Sequence, residues 1–153
     1  MIYRTAIEKD FLQLARMRWD FRQESGAETA ALGFEEFTEA CVDFFRNQAK
    51  NYTCWVAEKD GEIVSHIFVN RIALVPRPCR ANDAFGYLTN VYTKPDFRGK
   101  NIGSELLRRV IEWARAGDLE LLLVYPGDES VNFYGRAGFK EDREILKLVL
   151  REY

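Results

Sequence analysis

Val91-Tyr92-Thr93-Lys94-Pro95-Asp96-Phe97-Arg98-Gly99-Lys100-Asn101-Ile102-Gly103-Ser104-Glu105-Leu106-Leu107 joins a β-branched and aromatic run to an amphipathic one through a basic turn with glycine at 99 and 103. Upstream, residues 85–93 read as a strand, ended by Pro95, whose ring removes a ladder donor. Downstream the period is helical: Ile102, Leu106, Leu107, Val110, Ile111 and Ala114 form a stripe opposite Glu105, Arg108, Arg109, Glu112 and Arg115, and Gly117 supplies a C-terminal stop. Residues 119–125 are then nearly unbroken apolar, the pattern of a strand covered on both faces, and Pro126-Gly127 ends it.

Further out the same reading continues in both directions. Residues 1–5 suit a short strand, and Thr5-x-x-Glu8 has capping-box spacing ahead of a first helix that fades near Gly26. Phe34, Phe37, Cys41, Phe44 and Phe45 line one stripe of a second helix. Residues 52–57 and 63–74 are strand-like and are separated by Lys59-Asp60-Gly61, a hairpin signal. Past residue 126 a short helix is expected over 129–137, a left-handed turn at Gly138, and a final strand over 145–150, where alternate residues could face opposite sides. The expected fold is α/β in the order β-α-α-β-β-β-α-β-α-β. With no repeat, linker or low-complexity tract, residues 1–153 are expected to form a single domain.

Composition narrows the function. The chain has 153 residues, 47% of them hydrophobic and 14% aromatic, enough for a core without disulfides or a structural metal. A net charge of −2 argues against a general attraction to nucleic acid or anionic lipid. Arg108, Arg109 and Arg115 read as the solvated face of their helix, since acidic residues interrupt them. The charged first ten residues do not resemble a signal peptide and no apolar stretch is long enough to span a bilayer, so the expected location is cytoplasmic, with no membrane partner. Cys41, Cys54 and Cys79 lack C-x-x-C spacing and have one histidine to help them, so no metal site is expected.

The 98–104 turn has the chemistry of an anion site. Unpaired N–H groups of a first helical turn carry the positive end of the helix dipole, Arg98 and Lys100 add full charges, and glycine lets a phosphate come close to the backbone. An ordinary helix start with two solvated cations fits the same residues. Neither G-x-G-x-x-G nor G-x-x-x-x-G-K-[ST] is present, which disfavours a dinucleotide fold or a P-loop.

The run from Val91 to Leu107 resembles the acyl-CoA signature of the GNAT superfamily of N-acetyltransferases, whose core is Arg/Gln-x-x-Gly-x-Gly/Ala. Thirty-one residues after Gly103, Tyr134-Gly135-Arg136-Ala137-Gly138-Phe139 is similar to that family's second signature. The resemblance implies a mixed central sheet flanked by helices and acetyl-CoA as co-substrate. It implies that backbone N–H groups of Gly99, Lys100, Asn101, Ile102, Gly103 and Ser104 cradle the pyrophosphate, supported by Arg98 and Lys100, while Val91, Tyr92 and Thr93 hold the pantetheine arm. Two positions depart from the pattern: Asn101 replaces a glycine, and Gly127 stands where an asparagine often contacts the cofactor, a contact that Ser130 or Asn132 could supply.

Tyr134 occupies the place of a family tyrosine beside the sulfur, where a phenol, protonated at neutral pH, can donate to a leaving thiolate. Packing between Phe133 and Phe139 is the plainer role for the same ring. No Glu or Asp lies in residues 85–93 to act as base, which leaves His66, a water relay through Asn90 or Tyr92, or no base at all. Glu24 and Glu28 stand where the family forms its acceptor wall, and exposed loop charge is the competing reading. The resemblance therefore implies transfer of acetyl to a primary amine, small or peptidic, in a ternary complex. A non-catalytic acyl-CoA sensor or interaction module on the same scaffold is the alternative, and a homodimer is compatible with either.

Overall fold

The computed structural model describes residues 1–24, 26, 31–81, 83–141 and 145–150. Its centre is a five-stranded sheet in the order β1 (Ile2–Thr5), β2 (Tyr52–Lys59), β3 (Glu62–Ala73), β4 (Ala84–Thr93), β5 (Leu122–Val124), with α1 (Phe11–Glu24) and α2 (Phe34–Asn47) between β1 and β2. Neighbours from β1 to β4 pair antiparallel, and β5 joins β4 in parallel after α3 (Ile102–Ala116). A short α4 (Val131–Arg136) follows a single 3₁₀ turn at Asp128–Ser130.

Alternation along the strands builds two cores. Ile67, Val69 and Leu88 face Leu106, Leu107 and Val110 of α3 together with Tyr134, whereas Val56, Phe68 and Tyr92 face Leu14 and Met17 of α1. The expected hairpin is present, with Asp60 at φ 52° and Gly61 at φ 83°, the left-handed pair that a two-residue turn between twisted strands needs. α2 packs against α1, with Trp19 meeting Phe34 and Phe37 edge-on, and buries no residue completely.

Three expectations need correction. Residues 145–150 form no strand: β5 is the sheet's last strand among the described residues, and Leu146 and Leu148 are 94% and 83% exposed. β5 itself is shorter than residues 119–125 and only half-buried, with Leu121 and Tyr125 on either side of it exposed. The first helix is introduced by Asp10 rather than Glu8: the Ile7 N–H donates to the Asp10 carboxylate at 2.8 Å, and the same carboxylate takes Arg4 at 2.6 Å. Gly117 is the C-cap of α3 as expected, and the left-handed residue after it is Asp118, φ 56°. Among the described residues no helix is long and apolar enough to cross a membrane.

Candidate active site

β4 carries the feature that opens the site. His66 stands opposite Tyr92 and Phe68 opposite Thr89, so two residues of β4, Asn90 and Val91, face the single Ile67. This is a β-bulge, and Asn90 takes the left-handed conformation, φ 47°, used by one class of such bulges. Asn90 is tied to α1 through Arg18, whose guanidinium donates to Asn90 Oδ1 at 3.2 Å. β5 pairs with β4 only along Gly86, Tyr87 and Leu88, so beyond the bulge the edge of β4 has no neighbour on that side among the described residues.

The 98–104 turn follows β4 after one 3₁₀ turn at Pro95–Phe97. Gly99 (φ 70°) and Asn101 (φ 61°) are both left-handed, and Asn101 is the N-cap of α3 with no side-chain capping bond. Asn therefore takes the turn conformation for which the family pattern has glycine, as its short polar side chain permits. Ile102 anchors the turn by burying its side chain with Ala57 and Val64. Gly103 lies close to the Thr93 hydroxyl and the Phe133 ring: a Cβ at 103 would be 3.3 Å from the first and 3.6 Å from the second.

A cavity of about 390 Å³ opens over this turn, lined by Thr93, Phe97, Arg98, Gly99, Asn101, Ile102, Gly103, Ser104, Phe133 and Arg136. A second, of about 530 Å³, adjoins it along the free part of β4 and is lined by Phe21, Glu24, Ser65, Ile67, Val91, Tyr92, Thr93, Arg98, Gly103, Glu129, Ser130 and Phe133. Val91, Tyr92, Thr93, Arg98, Gly99, Asn101, Ile102, Gly103, Ser104 and Ser130 thus lie along one continuous depression. Lys100 lies outside both linings with its ammonium over the Phe97 ring, and Asn132 is exposed on α4 and lines neither. Arg136 is quoted within the second signature but given no role there. Its only signal there is a cation two residues beyond Tyr134.

Tyr134 lines a third cavity, of about 340 Å³, with residues 122–126, Phe139, Ile145 and Lys147. Its ring stacks edge-on with Phe133 at 5.0 Å and Phe139 at 5.5 Å, and burial pushes its phenol up to about 12. It stays protonated through neutral pH, as a proton donor must. Phe133, which lines the first two cavities, stands beside it.

Tyr92 is not a free relay. Its hydroxyl donates to the Glu24 carboxylate, and burial, then that hydrogen bond, raises its pKa far above the ordinary phenol value. Glu24, at the end of α1, also takes Arg98 at 2.6 Å. Burial pushes the Glu24 carboxyl up, but the bonds from Arg98 and Tyr92 and the Arg98 charge outweigh it and hold the group below its usual range. It is therefore neither stray loop charge nor a strong base. Glu28 lies outside the described residues. His66 is fully buried between Phe68 and Tyr92, and burial lowers its imidazole to about 4. Asn90 lies close enough to favour the charged form, but neither ring nitrogen reaches hydrogen-bond geometry. Among the described residues no group of three or more His, Cys, Asp or Glu is arranged to hold a metal.

The profile of the Acetyltransferase (GNAT) family matches residues 12–139, from the first turn of α1 through the Gly-Phe after α4. The chain belongs to this family. An uncharacterized N-acetyltransferase of Methanocaldococcus jannaschii is 36% identical over 113 residues, which is 67% of this chain and 50% of that protein, so the GNAT chain described here spans about half the length of the curated relative it matches. Among solved structures, a predicted acetyltransferase from Clostridium acetobutylicum crystallised with acetyl-CoA superposes with a TM-score of 0.81 at 24% identity, over 97% of this chain and 96% of that one. A GCN5-related N-acetyltransferase from Ralstonia eutropha gives 0.76 at 22%, over 97% of each. At these identities the two likenesses are of fold. They bear out the mixed sheet flanked by helices that the GNAT resemblance implied.

Proposed function

We propose that this chain transfers an acetyl group from acetyl-CoA to a primary amine by direct attack in a ternary complex. The observation that carries the reading is the bulge at Asn90–Val91, past which β4 pairs with β3 alone and, among the described residues, keeps its β5 side open ahead of a left-handed turn and the N-terminus of α3. An unpaired strand edge can bond the amide groups of a pantetheine arm, and the adjoining N–H groups of residues 99–104 suit a pyrophosphate. The donor set fits the group, and Gly103 keeps clear the space that a side chain would fill. Bound there, acetyl-CoA supplies an activated thioester.

The chain's own work is positional and electrostatic. Val91, Tyr92 and Thr93 hold the arm so that an amine entering past Phe21 and Glu24 reaches the carbonyl carbon, and holding the two reactants side by side removes much of the entropic barrier. A backbone N–H near Val91 stabilises the developing oxyanion. As the new C–N bond forms and the C–S bond breaks, the sulfur takes a proton from the Tyr134 hydroxyl and the amine loses its own to solvent water. Ser130, on the far wall, closes the arm's path.

The test is calorimetric titration with acetyl-CoA and CoA, followed by thiol release with a panel of primary amines. Binding and release support the reading, and a folded, CoA-free protein that binds neither ends it. Tight binding without transfer to any amine favours the sensor reading, for which the observation is that Tyr134 lines a different cavity from Val91 and Tyr92.

A further inference from the structure

The guanidinium of Arg98 occupies an unusual place for a residue in an anion-binding turn. It donates to the Thr93 carbonyl at 2.9 Å and to the Glu24 carboxylate at 2.6 Å, and its carbon lies 5.4 Å from the centre of the Tyr92 ring. A carboxylate, an aromatic face and a carbonyl oxygen around one point make a receptor for a cation. The receptor is built to persist. The Tyr92 hydroxyl holds the second oxygen of Glu24, the Phe21 ring lies 5.3 Å from that of Tyr92, and Thr93 is in the last position of β4. Arg98 also lines both the cavity over the turn and the cavity along β4.

We propose that the seat formed by Glu24, Tyr92 and the Thr93 carbonyl is a cation subsite for the acceptor, filled in the free protein by the Arg98 guanidinium and vacated when an anion at the 99–104 turn draws Arg98 to it. The inference rests on the acetyltransferase reading. Two charges compete for one arginine: the Glu24 carboxylate on the acceptor side and the cofactor's phosphates on the other. Arg98 is about half exposed and its bonds are to surface-reachable groups, so exchange is a side-chain motion and needs no change of fold. The seat suits a second cationic group of the acceptor better than the reacting amine. An ammonium held by a carboxylate is stabilised in its charged form and has no lone pair to attack with.

The exchange makes an unusual prediction, readable without knowing the acceptor. In calorimetric titrations with CoA at low salt, Glu24→Gln, which loosens the competing hold on Arg98, binds CoA several-fold more tightly than the unmodified chain. Arg98→Ala binds it more weakly, and Glu24→Gln added to Arg98→Ala brings no gain. The seat itself is tested in Arg98→Ala, where methylguanidinium and n-butylammonium should each bind, by shifts of Tyr92 and Thr93 amide resonances that saturate, and should fail to do so once Glu24→Gln is added. Thermal melts of every variant establish that each is folded, and Arg98→Lys serves in place of Arg98→Ala for the CoA arm if the latter is not. CoA binding unchanged or weakened in Glu24→Gln overturns the exchange. Equal cation binding with and without the Glu24 carboxylate overturns the seat. Failure of the unmodified chain to bind CoA is a different result and overturns the acetyltransferase reading instead.

Discussion

Gly103 faces Thr93 so closely that a Cβ on the glycine would lie 3.3 Å from the Thr93 hydroxyl oxygen, and the Phe133 ring closes the other side at 3.6 Å. The first turn of α3 is thereby held against the end of β4. Gly103→Trp is expected to fill the space over the turn and abolish CoA binding by calorimetry. Gly103→Ala needs only a shift of a few tenths of an ångström and is expected to weaken CoA binding by less than about tenfold, or about 1.4 kcal/mol. If the tryptophan variant, still folded by circular dichroism, binds CoA normally, the phosphates are held elsewhere.

Asn101 is left-handed at φ 61° and has no side-chain capping bond, so its value to the turn is conformational. Asn101→Ala is expected to destabilise the fold by about 1 kcal/mol, the cost of placing an ordinary L residue in that region. Asn101→Gly is expected to stay within about 0.5 kcal/mol of the unmodified chain, because relief of the left-handed conformation is offset by the freer unfolded state. Urea unfolding of the three proteins checks the order.

Features that residue type encodes locally were readable in advance. The α3 stripe, the Asp60-Gly61 turn and the left-handed Gly138, at φ 95°, follow from periodicity and backbone sterics within a few residues. Features that depend on a distant neighbour were not. An asparagine inside a strand is the only local trace of the bulge at Asn90–Val91, which exists because β3 offers one residue, Ile67, opposite two. Glu24 looks like loop charge because nothing nearby in sequence announces Arg98, 74 residues on. Residues 145–150 alternate as a strand does, but alternation states a preference for a sheet edge and cannot supply one.

The Tyr134 ring is buried between Phe133 and Phe139 and its hydroxyl makes no hydrogen bond to the described residues, so Tyr134→Phe removes the proton donor proposed above and leaves the packing. Turnover is expected to fall by about a hundredfold or more, within the usual range for loss of a general acid, with the KM for acetyl-CoA and the Tm nearly unchanged. With the phenol pushed up to about 12, activity should show no loss attributable to Tyr134 between neutral pH and about 10. Unchanged turnover in the phenylalanine variant assigns the residue to the core alone.

His66 links burial to acid stability. Burial holds its imidazole at about 4 in the folded chain, against an ordinary value of 6.5, so the unfolded chain takes up the proton first as the pH falls. Stability is therefore fully present above about 6.5 and declines as the pH drops towards 4, by roughly 3 kcal/mol if this group acted alone. Asp10, held below its usual range chiefly by the hydrogen bond from Arg4, contributes in a lower window, and its share is lost only as the pH falls through the acid carboxylate range. His66→Phe keeps a ring against Phe68 and Tyr92 and has no proton to take. Its unfolding free energy, measured in urea from pH 7 to pH 4.5, should be markedly flatter than that of the unmodified chain. Parallel curves for the two proteins would mean that His66 is not the group whose burial sets the acid limit.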